Sequence, residues 1–136
     1  MAKISVERTI GETKRAVLAG LNRFNVEYLP KQAHRSLAIA MRDEGAIVGG
    51  IFGELWITVL SIKYFWIDER FRGKGHGTAL IGSIEGEARR LGAVRAYVDT
   101  MSFQAPGFYR CCGYEQFGAI DGYPGGVTRH WFTKAL

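Results

Sequence analysis

The stretch Arg70-Phe71-Arg72-Gly73-Lys74-Gly75-His76-Gly77-Thr78 interleaves glycines with cationic side chains, directly after a hydrophobic strand-like run and directly before a helix-like one. Residues of these types at this spacing suit the holding of a pyrophosphate. Gly73, Gly75 and Gly77 free the backbone to turn tightly and approach a ligand, and a helix starting near Thr78 leaves its first N–H groups unpaired and aimed at the anion. Arg70, Arg72 and Lys74 supply charge. The spacing excludes two familiar phosphate loops. No segment has the Walker order of Gly, four residues, Gly, Lys and Ser or Thr, and the run reads G-x-G-x-G where a dinucleotide fingerprint needs G-x-G-x-x-G. A glycine-rich turn with merely solvated cations is the alternative for a motif this short.

Other reactive residue types are sparse. Cys111 and Cys112 are the only cysteines, and neighbouring residues cannot easily reach ordinary disulfide geometry, so both are expected to be reduced. His34, His76 and His130 are scattered, no metal-ligand spacing emerges, and no metal is expected. A covalent acyl-enzyme on either cysteine lacks a marked His or Asp partner. The net charge of +5 fits either nucleic acid or a small polyanion. The cations gather at residues 70–74 and near a helix end at Arg89, Arg90 and Arg95, with no basic recognition helix, so nucleic acid is not an expected partner.

The elements that would position the loop follow from periodicity. The chain has 136 residues, 47% of them hydrophobic and 23% charged, which suits one globular domain over residues 1–136. No run is long and apolar enough for a membrane span, and with no secretory leader in view the cytoplasm is the expected location. Residues 4–8 suggest a short strand. Residues 11–24 carry Val17, Leu18 and Leu21 against Glu12, Lys14, Arg15 and Arg23, the pattern of an amphipathic helix. Residues 25–35, with Pro30, read as a loop or a short second helix. From Ser36 the period becomes that of strands, giving a hairpin over 36–41 and 46–55 and a third strand over 56–67.

Residues 78–91 predict a helix with Leu80, Ile81, Ile84, Ala88 and Leu91 on one side and Glu85, Glu87, Arg89 and Arg90 elsewhere, ended by Gly92. A strand over 94–100 completes a β-α-β crossover with parallel strands. Pro106 opens a short helix to Cys112, and strands over 114–119 and 128–134 close the chain. The class is α/β with a mixed (α+β) sheet, in the order β-α(-α)-β-β-β-α-β-α-β-β.

Arg70-x-x-Gly73-x-Gly75 resembles the acyl-CoA-binding motif R/Q-x-x-G-x-G/A of the GNAT N-acetyltransferases. Ala105-x-x-Phe108-Tyr109-x-x-x-Gly113-Tyr114 is similar to that family's N-x-x-A-x-x-F-Y-x-x-x-G-F, with Ser102 for Asn and Tyr114 for Phe. The two lie in the family's order and on its elements, and the resemblance covers residues 36–136 well. Phe103 to Tyr109 followed by a Pro-Gly loop further resembles a branch of small bacterial acetyltransferases.

The resemblance implies an acetyl-CoA-dependent N-acetyltransferase whose partner is a small-molecule or peptide amine acceptor, with no metal and with the homodimer common in the family. It implies that acetyl-CoA is held by backbone from Arg72 through Gly73, Lys74, Gly75, His76 and Gly77 to Thr78. His76 stands where the family usually has an aliphatic residue and reads as half-buried packing. Phe65, Trp66 and Ile67, on the strand before the loop, would bind the pantetheine arm through their main chain, and Gln104 would help anchor the cofactor. Tyr109 is the candidate catalytic acid, since a phenol can protonate a leaving thiolate; the alternative is a tyrosine packed in the core beside Phe108. The carboxylate often found on the strand before the loop is missing from Ser61-Ile62-Lys63-Tyr64. Glu54, Asp68, Glu69, Asp99 and Asp121 stay open as the base, and a non-catalytic acyl-CoA sensor is the alternative function. Trp56, Asp121 and Tyr123 are candidates for the acceptor pocket.

Overall fold

The computed structural model describes residues 1–29 and 34–136. The chain divides into two units, residues 1–32 and 33–136. In the first, α1 runs Gly11–Asn25, matching the amphipathic pattern. The strand expected over residues 4–8 does not form: Ile4 and Val6 alone are too small an apolar face to hold one. Residues 26–29 are turn and bend; the rest of the expected loop or second helix falls partly on residues 30–33, outside the described residues.

The second unit is a six-stranded mixed sheet with two helices. Strands β1 (Arg35–Asp43), β2 (Ala46–Trp56) and β3 (Val59–Ile67) form an antiparallel meander. The third strand begins three residues later than its composition suggests. Trp56 pairs directly with Val59, and Ile57 takes a left-handed φ of 58° to close the turn between them. A β-branched residue is rare there, so composition hides this turn.

Helix α2 (His76–Arg90) crosses from β3 to β4 (Arg95–Met101), which pair in parallel. After α3 (Pro106–Cys111) come β5 (Glu115–Ile120) and β6 (Arg129–Ala135), giving the spatial order β1-β2-β3-β4-β6-β5. Leu60, Ile84, Ala88, Ala96 and Phe132 are fully enclosed between sheet and helices, each large apolar side chain contributing about 1.5–3 kcal/mol by leaving water.

Glu85, expected on the polar side of its helix, is buried at 4% exposure. Its carboxylate accepts from the Tyr114 hydroxyl at 2.7 Å and from Lys134 Nζ at 3.1 Å, while the same Nζ donates to the Cys112 carbonyl at 2.8 Å. One polar cluster thus ties α2 to the end of α3 and to β6, which is how a carboxylate persists inside an apolar face. It also accounts for Tyr114 at a phenylalanine position: the added hydroxyl has a partner.

Candidate functional site

A β-bulge decides the geometry of the site. The register of β2 against β3 shifts between Phe52 and Gly53, leaving Lys63 as the extra residue. The β3–β4 ladder ends at the same place: only residues 59–62 pair with 95–98, the last pair being Ile62 and Val98. Beyond it the two parallel strands part.

The parity of the β2 ladder then fixes which main-chain groups face the opening. Asp68 N–H donates to the Val48 carbonyl at 2.8 Å. In antiparallel pairing, hydrogen-bonded and non-hydrogen-bonded pairs alternate, so Trp66 and Tyr64 spend their backbone groups on β2, whereas Phe65 and Ile67 turn theirs toward β4. Of the three residues named from sequence, Phe65 therefore presents free N–H and C=O groups to the opening and Ile67 its N–H, the Ile67 carbonyl being taken by Arg72 Nε. Trp66, a residue 52% exposed, also lines the cleft.

At the carboxyl end of β3 the chain passes through a 3-10 turn, Glu69–Phe71, into the glycine loop. Gly73 (φ 73°) and Gly75 (φ 83°) are both left-handed, a region where a side chain is strained. Gly75 caps α2, which begins at His76, two residues before the expected start. The N–H groups of His76, Gly77 and Thr78 accordingly belong to the first helical turn and have no carbonyl four residues back. Gly77 does not make a turn. A Cβ there would stand 3.2 Å from the Phe108 ring, so its glycine allows α2 to meet α3.

The loop's cations have different surroundings. Arg70 is occupied by Asp68, Nε to Oδ1 at 3.0 Å and Nη2 to Oδ2 at 3.3 Å, an arrangement that lowers the Asp68 pKa. Arg72 lines the cleft and donates from Nε to the Ile67 carbonyl at 2.9 Å. Lys74 sits with Nζ 5.9 Å from the centre of the Phe71 ring. His76 is half-buried and lines the cleft, as do Gly73, Gly75, Gly77 and Thr78.

The cleft between these parts measures about 1010 Å³. Gln104 borders it, its Oε1 fixed by Met101 N–H at 2.7 Å and by the Thr100 hydroxyl at 3.1 Å, which leaves the amide N–H groups for a ligand. Tyr109 closes the inner wall. Its ring packs on Phe108, Tyr114 and Phe132 with centroids 5.3, 6.0 and 6.0 Å away, and the residue is only 7% exposed. Burial first, then the negative fields of Cys112 and Asp99, push its pKa up to about 12. Tyr109 is packed in the core, as the alternative reading expected, and it also borders the cleft.

Burial and the Glu85 carboxylate push the Cys112 thiol up, opposite to what a nucleophile needs, and Cys111 is exposed. Among the described residues no group of three or more His, Cys, Asp or Glu side chains gathers as a metal site. Trp56 stacks on His34 at the end of β2 opposite Val59, remote from the loop. Tyr123, by contrast, reaches Arg129: its hydroxyl, then Asp99, raise that guanidinium's pKa. That pairing was not legible in sequence, since it depends on the register of β6.

The model of the acetyltransferase (GNAT) family matches residues 12–114. Among curated proteins, the chain is 34% identical over 131 residues to a blasticidin-S acetyltransferase of Streptomyces morookaense, covering 95% of each chain. Its fold matches the crystal structure of an acetyltransferase from Bacillus cereus ATCC 14579 with a TM-score of 0.89 and 31% identity, over 98% of each chain. A Bacillus anthracis str. Ames structure in complex with acetyl coenzyme A, named for streptothricin acetylation, shares the fold at a TM-score of 0.67 and 19% identity, over 82% of this chain and 67% of that one.

Proposed function

This chain belongs to the acetyltransferase (GNAT) family and performs acetyl-CoA-dependent acetyl transfer, and from that premise we propose that it acetylates a primary amine by direct attack within a ternary complex. The observation that carries the reading is the parting of β3 from β4 past Ile62 and Val98, above a helix start and beside a buried phenol.

The N–H groups of residues 73–78 grip the diphosphate of acetyl-CoA, the Arg72 N–H being spent on the Glu69 carbonyl, because amides fixed at a helix start present positive potential without the mobility of side chains. Arg72, Lys74 and His76 flank the phosphates, and Gln104 offers its amide from the other wall. The main-chain groups of Phe65 and the Ile67 N–H pair with the amides of the pantetheine arm, as a missing strand would, while Trp66 covers the arm. The thioester carbonyl then lies against an N–H of the parted strand, which stabilises the oxyanion that forms on attack.

The amine nitrogen adds to the carbonyl carbon, and the C–S bond breaks. Tyr109 gives its proton to the departing sulfur and regains one from water, while the new amide nitrogen loses its extra proton to solvent. With its pKa raised to about 12 the phenol is protonated at neutral pH, so the proton is present to be given. The raised pKa of half-buried Cys112 supports direct transfer over an acyl-enzyme.

The relative's name makes blasticidin S the first acceptor to try. Thiol release from acetyl-CoA, followed over blasticidin S and a panel of simple amines, tests the reading. Release that depends on both enzyme and amine supports it. Tight acetyl-CoA binding with no release over the whole panel would return the chain to a binding module.

A further inference from the structure

One carboxylate stands at the point where the strands part. The β3–β4 ladder ends at Val98, so Asp99 is the first β4 residue past the last pair. Alternation sets it on the face opposite Ala96, Val98 and Thr100, all buried beneath the helices. Tyr109 approaches the opening from that helix side. Asp99 borders it from the other.

Of the acids left open as partners of the amine, Asp99 alone lines the cleft. Asp68 is occupied by Arg70, Glu69 and Asp121 are exposed elsewhere, and Glu54 pairs across the sheet with Ser61, in the closed part of the ladder. Asp99 is also held in one orientation. Arg129 Nε donates to its Oδ2 at 2.7 Å, and Nη2 approaches the same oxygen at 2.7 Å. The guanidinium in turn lies 4.8 Å from the Trp131 ring centre.

Both contacts fall on Oδ2, and no donor among the described residues hydrogen-bonds Oδ1. The side chain is one-third exposed. Tyr97 shares its face of β4. Tyr64 and Trp66 occupy the face of β3 opposite Phe65, whose ring meets Phe108. A pinned carboxylate with one free oxygen, on a sheet face that also carries aromatic residues, is a receptor for an organic cation.

Resting on the acetyl-transfer reading, we propose that Asp99 Oδ1 docks the acceptor's ammonium group, so that the acceptor is an amine bound in its protonated form on the side of the sheet opposite Tyr109. The ammonium gives one proton to water before its nitrogen attacks. Asp99 therefore acts by charge and position, and Arg129 by orienting it.

The test compares amines that are protonated at neutral pH, hexylamine and blasticidin S, with aniline, which is neutral there. Asp99→Asn should raise KM at least tenfold for the protonated amines, with little change for aniline and an unchanged calorimetric Kd for acetyl-CoA. Asp99→Glu, which keeps the charge, should recover part of the loss and guards against a folding defect in the amide variant. A KM that stays put, or equal loss on both kinds of amine, overturns the docking role while leaving acetyl transfer standing. A wild-type protein that acetylates no amine refutes acetyl transfer and the docking role together.

Discussion

The packing of Tyr109 is compatible with the acid role proposed for it. Packing against Phe108, Tyr114 and Phe132 fixes the ring, and the same burial raises its pKa to about 12. Tyr109→Phe keeps the packing and removes the proton. It should lower kcat by about tenfold or more with the acetyl-CoA Kd unchanged, as steady-state kinetics and calorimetry can show. The pH dependence follows with a definite sign. A group whose folded pKa exceeds its ordinary value of about 10 contributes its stability in full below that value, and the contribution is lost as pH rises toward about 12. The wild-type kcat should show no descending limb attributable to this phenol below about pH 10; a limb near neutrality that vanishes in Tyr109→Phe would contradict the assignment. Tyr109 was legible as a candidate because Phe108, Tyr109 and Gly113 carry the family resemblance. Asp99 was not. As one acid among five it had no distinguishing neighbour until the strand register put it at the end of the ladder.

The elements owe their arrangement to a few small or unexpected residues. At Gly75, a left-handed cap, Ala should cost about 1–2 kcal/mol and weaken CoA binding by displacing the first N–H groups of α2. Gly77→Ala drives a methyl group toward the Phe108 ring, an overpacking expected to cost about 1–3 kcal/mol; urea denaturation measures both. The cluster of Glu85, Tyr114 and Lys134 gives a third expectation. Tyr114→Phe removes a hydrogen bond to a carboxylate and should destabilise by about 1.5–3 kcal/mol, although phenylalanine is the family's usual residue there. Periodicity made most strands and both helices of the second unit readable, because alternation and the 3.6-residue repeat report burial directly. It failed where a long-range partner decided the outcome. Glu85 is charged on a helix face that only Lys134 and Tyr114 make habitable, and the Ile57 turn is closed by a residue that composition assigns to a strand.

Over the whole molecule, the sheet is a device for not closing. A glycine loop, a helix start and two parallel strands were expected from the β-α-β pattern, and the structure adds the bulge at Lys63 and the loss of pairing after Val98. No sequence rule announces where a parallel ladder ends, since that depends on the twist of strands far apart in the chain. Among the described residues no helix is long and apolar enough to cross a membrane. The account's central claim is that the helix-start amides hold a diphosphate while the parted strands hold the arm beyond it. Calorimetric titration tests it most directly, with coenzyme A and with pantetheine, which has the arm without the diphosphate. Saturable binding of coenzyme A, much weakened in pantetheine and in Gly75→Ala, is the predicted result. No heat with coenzyme A at millimolar concentration, or equal affinity for the two compounds, would contradict it.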